Sequence, residues 1–141
     1  MPAPAPKHLL TLLCVPLSAV SLAACGSAVS TSSFSGAKHE VAQAISNLQA
    51  DATAAEQKKL CADDLAAPVV TRLGGQKGCE TAVKNQLAEV DSLEVSVQSV
   101  QIAPGGASAI AHVKSEQSGK SKPGTVSLVK EGKAWKVSAA S

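Results

Sequence analysis

The chain has 141 residues, 17% of them charged, and a formal net charge of +2. That length holds one domain at most, and the near-neutral balance leaves no basic surface suited to nucleic acid. Phe34 and Trp135 are the only aromatic residues, so a core has to be built from Val, Leu, Ile and Ala. A domain of this size buries only about two-thirds of its unfolded surface, and a covalent staple would support so thin a core.

Residues 1–24 have the layout of an export signal. Lys7 and His8 give a short basic start, and residues 9–22 form an apolar run that Pro16 interrupts and small residues close. The run is too short and broken for a permanent span, which takes about 20 apolar residues. At its end, Leu22, Ala23, Ala24 and Cys25 resemble the bacterial lipobox. The resemblance implies that the Cys25 thiol receives a diacylglyceryl group and that cleavage before it leaves a lipidated, palmitate-bearing N-terminus. A plainer alternative is an ordinary secretory signal cut near Ala24, with Cys25 incidental. Residues 25–37, small and polar without periodicity, read as the lipidated cysteine and a flexible Ser-rich tether.

Residues 38–141 read as the folded domain. Val41, Ala44, Ile45 and Leu48 recur at helical spacing over 38–50, and Asp51 and Thr53 supply cap chemistry for a break. Residues 52–61 resume as a second helical stretch. Asp63 or Asp64 is then placed to cap a short helix over 65–73, with Pro68 disturbing it and Gly74-Gly75 ending it. A further helix is expected over 79–89, with Ala82, Val83 and Leu87 inward. Cys14 leaves with the leader, and if Cys25 carries the lipid that the lipobox resemblance implies, Cys61 and Cys79 remain as a pair in an oxidising compartment. A disulfide closing a loop of about 18 residues contributes roughly 3 kcal/mol in the chain-entropy model. Free thiols or redox use are the alternatives; a metal site lacks His or further Cys between them.

From Leu93 the period becomes two. Leu93, Val95 and Val97 alternate with polar residues, then Val100 and Ile102 do so in the other phase, so a bulge is expected at Gln98-Ser99. Pro104-Gly105-Gly106 is a turn, 107–116 the partner strand, and 118–124 a polar, lysine-rich loop. Residues 125–130 and 133–139 then form a hairpin about Glu131-Gly132. The layout is α+β: N-terminal helices packed on a curved antiparallel sheet of about four strands.

This order is similar to the nuclear transport factor 2-like superfamily, with its cystatin-like cone, and more narrowly to small actinobacterial-type lipoproteins of that kind. The residues that carry the likeness are Ile45 to Asp51 leading to Leu60-Cys61, then Gly78-Cys79, Gly106 to Ala111, and the ending Val126 to Val137 with its Trp135. The connection before the first long strand is shorter than in larger members. Enzymes of the superfamily work with Asp, His and Tyr inside the cone; this chain has no Tyr, and His112 is the single histidine of the sheet region. The resemblance therefore implies a non-catalytic binding or interaction module at the cell envelope, lipid-anchored on the extracytoplasmic face. Its occupant would be a small apolar ligand in the cone or an envelope protein, and no cofactor or metal is called for. His112 and Trp135 are the ligand-facing candidates. An isomerase or dehydratase using His112, and a structural accessory subunit of an envelope complex, are the alternatives. Asp63-Asp64 reads as cap chemistry rather than an acid–base pair, and Lys120 and Lys122 as a solvated tip.

Overall fold

The computed structural model describes residues 30–90 and 94–141. The leader, Leu22 to Cys25 and Leu93 therefore lie outside the described residues. The first helix, α1 (Gly36–Thr53), is longer than the 38–50 expected, and it buries Val41, Ala42, Ile45 and Gln49 along one face. It ends in a Schellman turn: Ala55 N–H donates to Ala52 O (3.1 Å) and Glu56 N–H to Asp51 O (2.8 Å). Ala55 closes that turn at φ 55°, the left-handed conformation that glycine usually supplies.

The second helical stretch differs from expectation. It begins only after this turn, as the short α2 (Gln57–Lys59), and widens at once into a five-residue π-helical turn, Leu60–Asp64. The closing bond runs from Leu65 N–H to Leu60 O (2.9 Å), one residue beyond the α pattern. The widened turn puts Leu60, Cys61 and Asp64 inside.

Neither Asp63 nor Asp64 caps the next helix, α3 (Ala67–Arg72); the residue before it is Ala66, with no side-chain cap bond. The first N–H of α3 instead donates to Glu131 Oε1, 2.8 Å away on a hairpin 64 residues later. Pro68 sits in the first turn of this helix rather than disturbing it, because a first-turn N–H has no intrahelical acceptor and its absence costs the helix no bond. The fourth helix, α4 (Gly75–Ala88), begins four residues before the expected position. Gly74, at φ 93°, reverses the chain, and Gly78 sits so close to the Leu73 carbonyl that a Cβ there would overlap it. Cys61 and Cys79 are joined in a disulfide, with Cα atoms 6.0 Å apart. Cys79 is the one fully buried residue of α4.

Four strands follow: β1 (Glu94–Ile102), β2 (Ser108–Gln117), β3 (Lys120–Glu131) and β4 (Ala134–Ala140). They pair antiparallel in the order β1-β2-β3-β4, a simple meander. The pairing slips between Val97 and Ser99, as the change of phase predicted, so Gln98 is the extra residue that keeps Val100 and Ile102 on the inner face with Val95 and Val97. A second irregularity, at Ser127/Leu128 opposite β4, is held by Ser138 Oγ–H donating to Ser127 O (3.1 Å).

Residues 118–124 are not a loop. Ser118 and Gly119, both with positive φ, make a two-residue turn, and Gln117 pairs with Lys120 at once. Pro123 is tolerated because the pairing of β3 with β4 stops short of it, so β3 has no neighbour on that side. On the inner face Val100, Ala111, Val113, Val126, Leu128 and Val137 pack against Val41 and Ile45 of α1, and Trp135 closes one end. The outer edge of β4 is bridged by Leu65, with Ala66 N–H donating to Val137 O (2.8 Å).

Candidate functional site

The helical spacing of α1 puts Glu40, Gln43 and Asn47 on one side of the helix, facing the start of β4 and the π-helical turn. Between them runs an open groove of about 450 Å³, whose other walls are Trp135, Asp63 and Asp64. His39 and Lys133 also line it. His39 Nδ1–H donates to Thr31 O (3.1 Å), tying the segment before α1 to the helix.

Trp135 is 5% exposed and fastened on both sides. Its indole N–H donates to Glu40 Oε2 (3.3 Å), the same oxygen lies 3.6 Å from Lys130 Nζ, and that ammonium stands 5.5 Å from the ring centroid. Lys130 and Trp135 are cross-strand partners, so the cation–π contact follows from the register of β3 and β4.

Asp64 is the unusual group of the groove. It is 7% exposed, and its Oδ2 has no hydrogen-bond partner in the protein. Burial first, then the neighbouring Asp51 carboxylate and the hydrogen bond to it, then Asp63, push its pKa up to about 7; Lys136 pulls the other way. Lys136 is itself committed, with Nζ donating to Ala62 O (2.7 Å) and lying 3.9 Å from Glu131. Asp51 is shared with Lys59, whose ammonium is 3.8 Å from Asp51 and 3.0 Å from Glu56. Around neutral pH the Asp64 carboxyl thus exchanges a proton in a place where an ordinary carboxyl would be fully ionised.

Of the residues singled out in the sequence, Trp135, Asp63 and Asp64 come together here. His112 does not: it stands exposed on the outer face of β2 in line with Ile110 and Lys114, opposite the buried Ala111 and Val113. Lys120 and Lys122 lie with Ser115 and Gln117 at the tip of the β2–β3 hairpin. Sequence reasoning missed the partnership of Asp51 with Asp64, because a DD pair just before a helix carries the same letters whether it caps that helix or is drawn inside. Among the described residues no group of three His, Cys, Asp or Glu side chains is placed to hold a metal ion. No helix among them is long and apolar enough to cross a membrane. No family model matches the chain, and neither a curated protein nor a solved structure does so.

Proposed function

We propose that this chain is a lipid-anchored extracytoplasmic protein of the nuclear transport factor 2-like type, whose domain binds an envelope partner and catalyses no reaction. The observation that carries the proposal is the order Leu22, Ala23, Ala24, Cys25 directly behind an apolar run and ahead of a Ser-rich stretch. The Cys61–Cys79 disulfide supports an oxidising compartment, and the helices-then-meander α+β layout supports the family. The inner face of the sheet is occupied by Ile45, Leu128, Trp135 and their neighbours. That filling favours a protein partner at the surface groove over an apolar ligand inside. An isomerase-like reaction at His112 draws no support from its position on the outer face.

Labelling bacteria that express the full chain with a palmitate analogue tests the anchor. The wild-type protein is expected to take up label and to sediment with membranes, whereas Cys25→Ala loses the label. Equal labelling of the two proteins would sink the lipoprotein reading. Photo-cross-linking from position 47 in intact cells tests the rest: a discrete protein adduct supports partner docking, and a lipid adduct restores the apolar-ligand reading.

A further inference from the structure

We propose that the domain stands on an anionic lipid surface by one end, formed by the start of α1 and the β3–β4 turn, with Lys38 and Lys133 set against the headgroups. The proposal deepens the lipid-anchor reading above and rests on it.

Three observations lead to it. The first is where the chain enters the domain. Phe34 packs against the core, and its N–H donates to Thr31 O (3.1 Å). His39 Nδ1–H donates to the same carbonyl (3.1 Å), so Thr31 is tied to the first turns of α1. Residues 31–34 are thereby part of the domain, and Cys25 and Thr31 are only six positions apart. A chain of that length spans at most about 20 Å, whatever its conformation. A lipid on Cys25 therefore keeps Thr31, and the end of the domain beside it, within that distance of the headgroups.

The second is what that end presents. Glu40 of α1 meets Trp135 and Lys130, so the start of α1 stands beside the β3–β4 turn. Lys130 N–H donates to Ala107 O (2.8 Å), which brings the β1–β2 turn to the same end. The carboxylates here are committed: Glu40 to Lys130 and the indole, Glu131 to the first N–H of α3 and to Lys136. Lys38 and Lys133 are exposed, and among the described residues no ion pair engages either. The end thus offers two uncompensated ammonium groups, the charge that an anionic leaflet attracts within a Debye length of about 8 Å.

The third is the position of the other lysine pair. Lys120 and Lys122 lie at the tip of the β2–β3 hairpin. From Lys130 back to Lys120, β3 covers about 33 Å at the usual strand rise. The path of α1 agrees, because its Gln49 bonds Val95 near the start of β1, toward the hairpin tip and away from Trp135. That tip meets the surface only if the link from Cys25 is drawn out and the domain laid over, which costs chain entropy. Lys38 and Lys133 need neither.

The test uses the lipidated chain in vesicles of phosphatidylcholine with about 30% phosphatidylglycerol. A benzophenone side chain is placed at one of three exposed positions: 37 or 134 at the end nearest the anchor, or 121 at the hairpin tip. Lipid adducts from 37 and 134 are expected to exceed those from 121 by about fivefold or more, and to fall to about a third in pure phosphatidylcholine or with Lys38→Gln and Lys133→Gln together. Equal yields from the three positions overturn the proposal, since they describe a domain tumbling on its anchor. A larger yield from 121 overturns it by putting the opposite end on the lipid. Yields that neither neutral lipid nor the lysine changes reduce overturn the cationic contact. Flotation with the vesicles is read first in each sample. A chain that floats but lacks the adduct pattern fails this proposal alone; one that does not float fails at Cys25, and this proposal falls with it.

Discussion

At the scale of single residues, Asp64 and Ala55 each hold a conformation or a charge state that works against stability. The Asp64 carboxyl has its ordinary pKa when the chain is unfolded and a value near 7 when it is folded. Between those values the folded state binds the extra proton, so the stabilisation is complete below about pH 4 and is lost as pH rises to neutrality. Asp64→Asn removes the ionisable group and keeps the shape. Chemical denaturation is expected to show it about 1–3 kcal/mol more stable than wild type at pH 8, with a flatter stability profile between pH 5 and pH 8. A wild type that gains stability over that range would contradict the assignment. Ala55 is the simpler case. With its φ of 55° at the close of α1, Ala55→Gly relieves the left-handed penalty and is expected to raise stability by about 0.5–1 kcal/mol, less than the full relief because glycine also frees the unfolded chain. A thermal melt of the two proteins checks it.

At the scale of elements, α4 depends on its covalent link. It buries Cys79 and little else, whereas α1 buries four residues against the sheet. Replacing Cys61 and Cys79 with Ala is therefore expected to cost about 3 kcal/mol overall and to speed amide exchange in α3 and α4 more than in β2 and β3. Uniform acceleration across all elements would show that the disulfide supports the whole domain instead. The elements also show what the sequence discloses. Periodicity alone located α1, β1 with its bulge, β2, β4 and the C-terminal half of β3, because each is set by which residues must face the core. The π-helical turn was not legible: its widening is fixed by Leu65 reaching β4, a contact 72 residues away in the chain. The same holds for the first N–H of α3, whose acceptor is Glu131. Residues 120–124 read as a loop because two lysines, a proline and a glycine hide the alternation, and their strand state comes from pairing with β2.

At the scale of the whole molecule, the two outer strands of the sheet are managed differently. The free side of β4 is covered by Leu65 and Ala66. That of β1 is engaged near its start, where Val95 N–H donates to Gln49 Oε1 (3.1 Å), and is then broken by the bulge at Gln98. The groove was partly legible at this scale: Trp135 is a ligand-facing candidate in the sequence, but its place beside Asp64 in one groove requires the tertiary path of the chain between them. The bulge has a colloidal consequence as well. A nine-residue outer strand would offer a second copy a long straight template, and such templates seed edge-to-edge aggregates. The kink at Gln98 divides that template into two four-residue runs on either side of the bulge, which twists the edge and blunts it as a template. The residue that turns Val100 toward the core therefore also keeps neighbouring copies of the protein from zipping together.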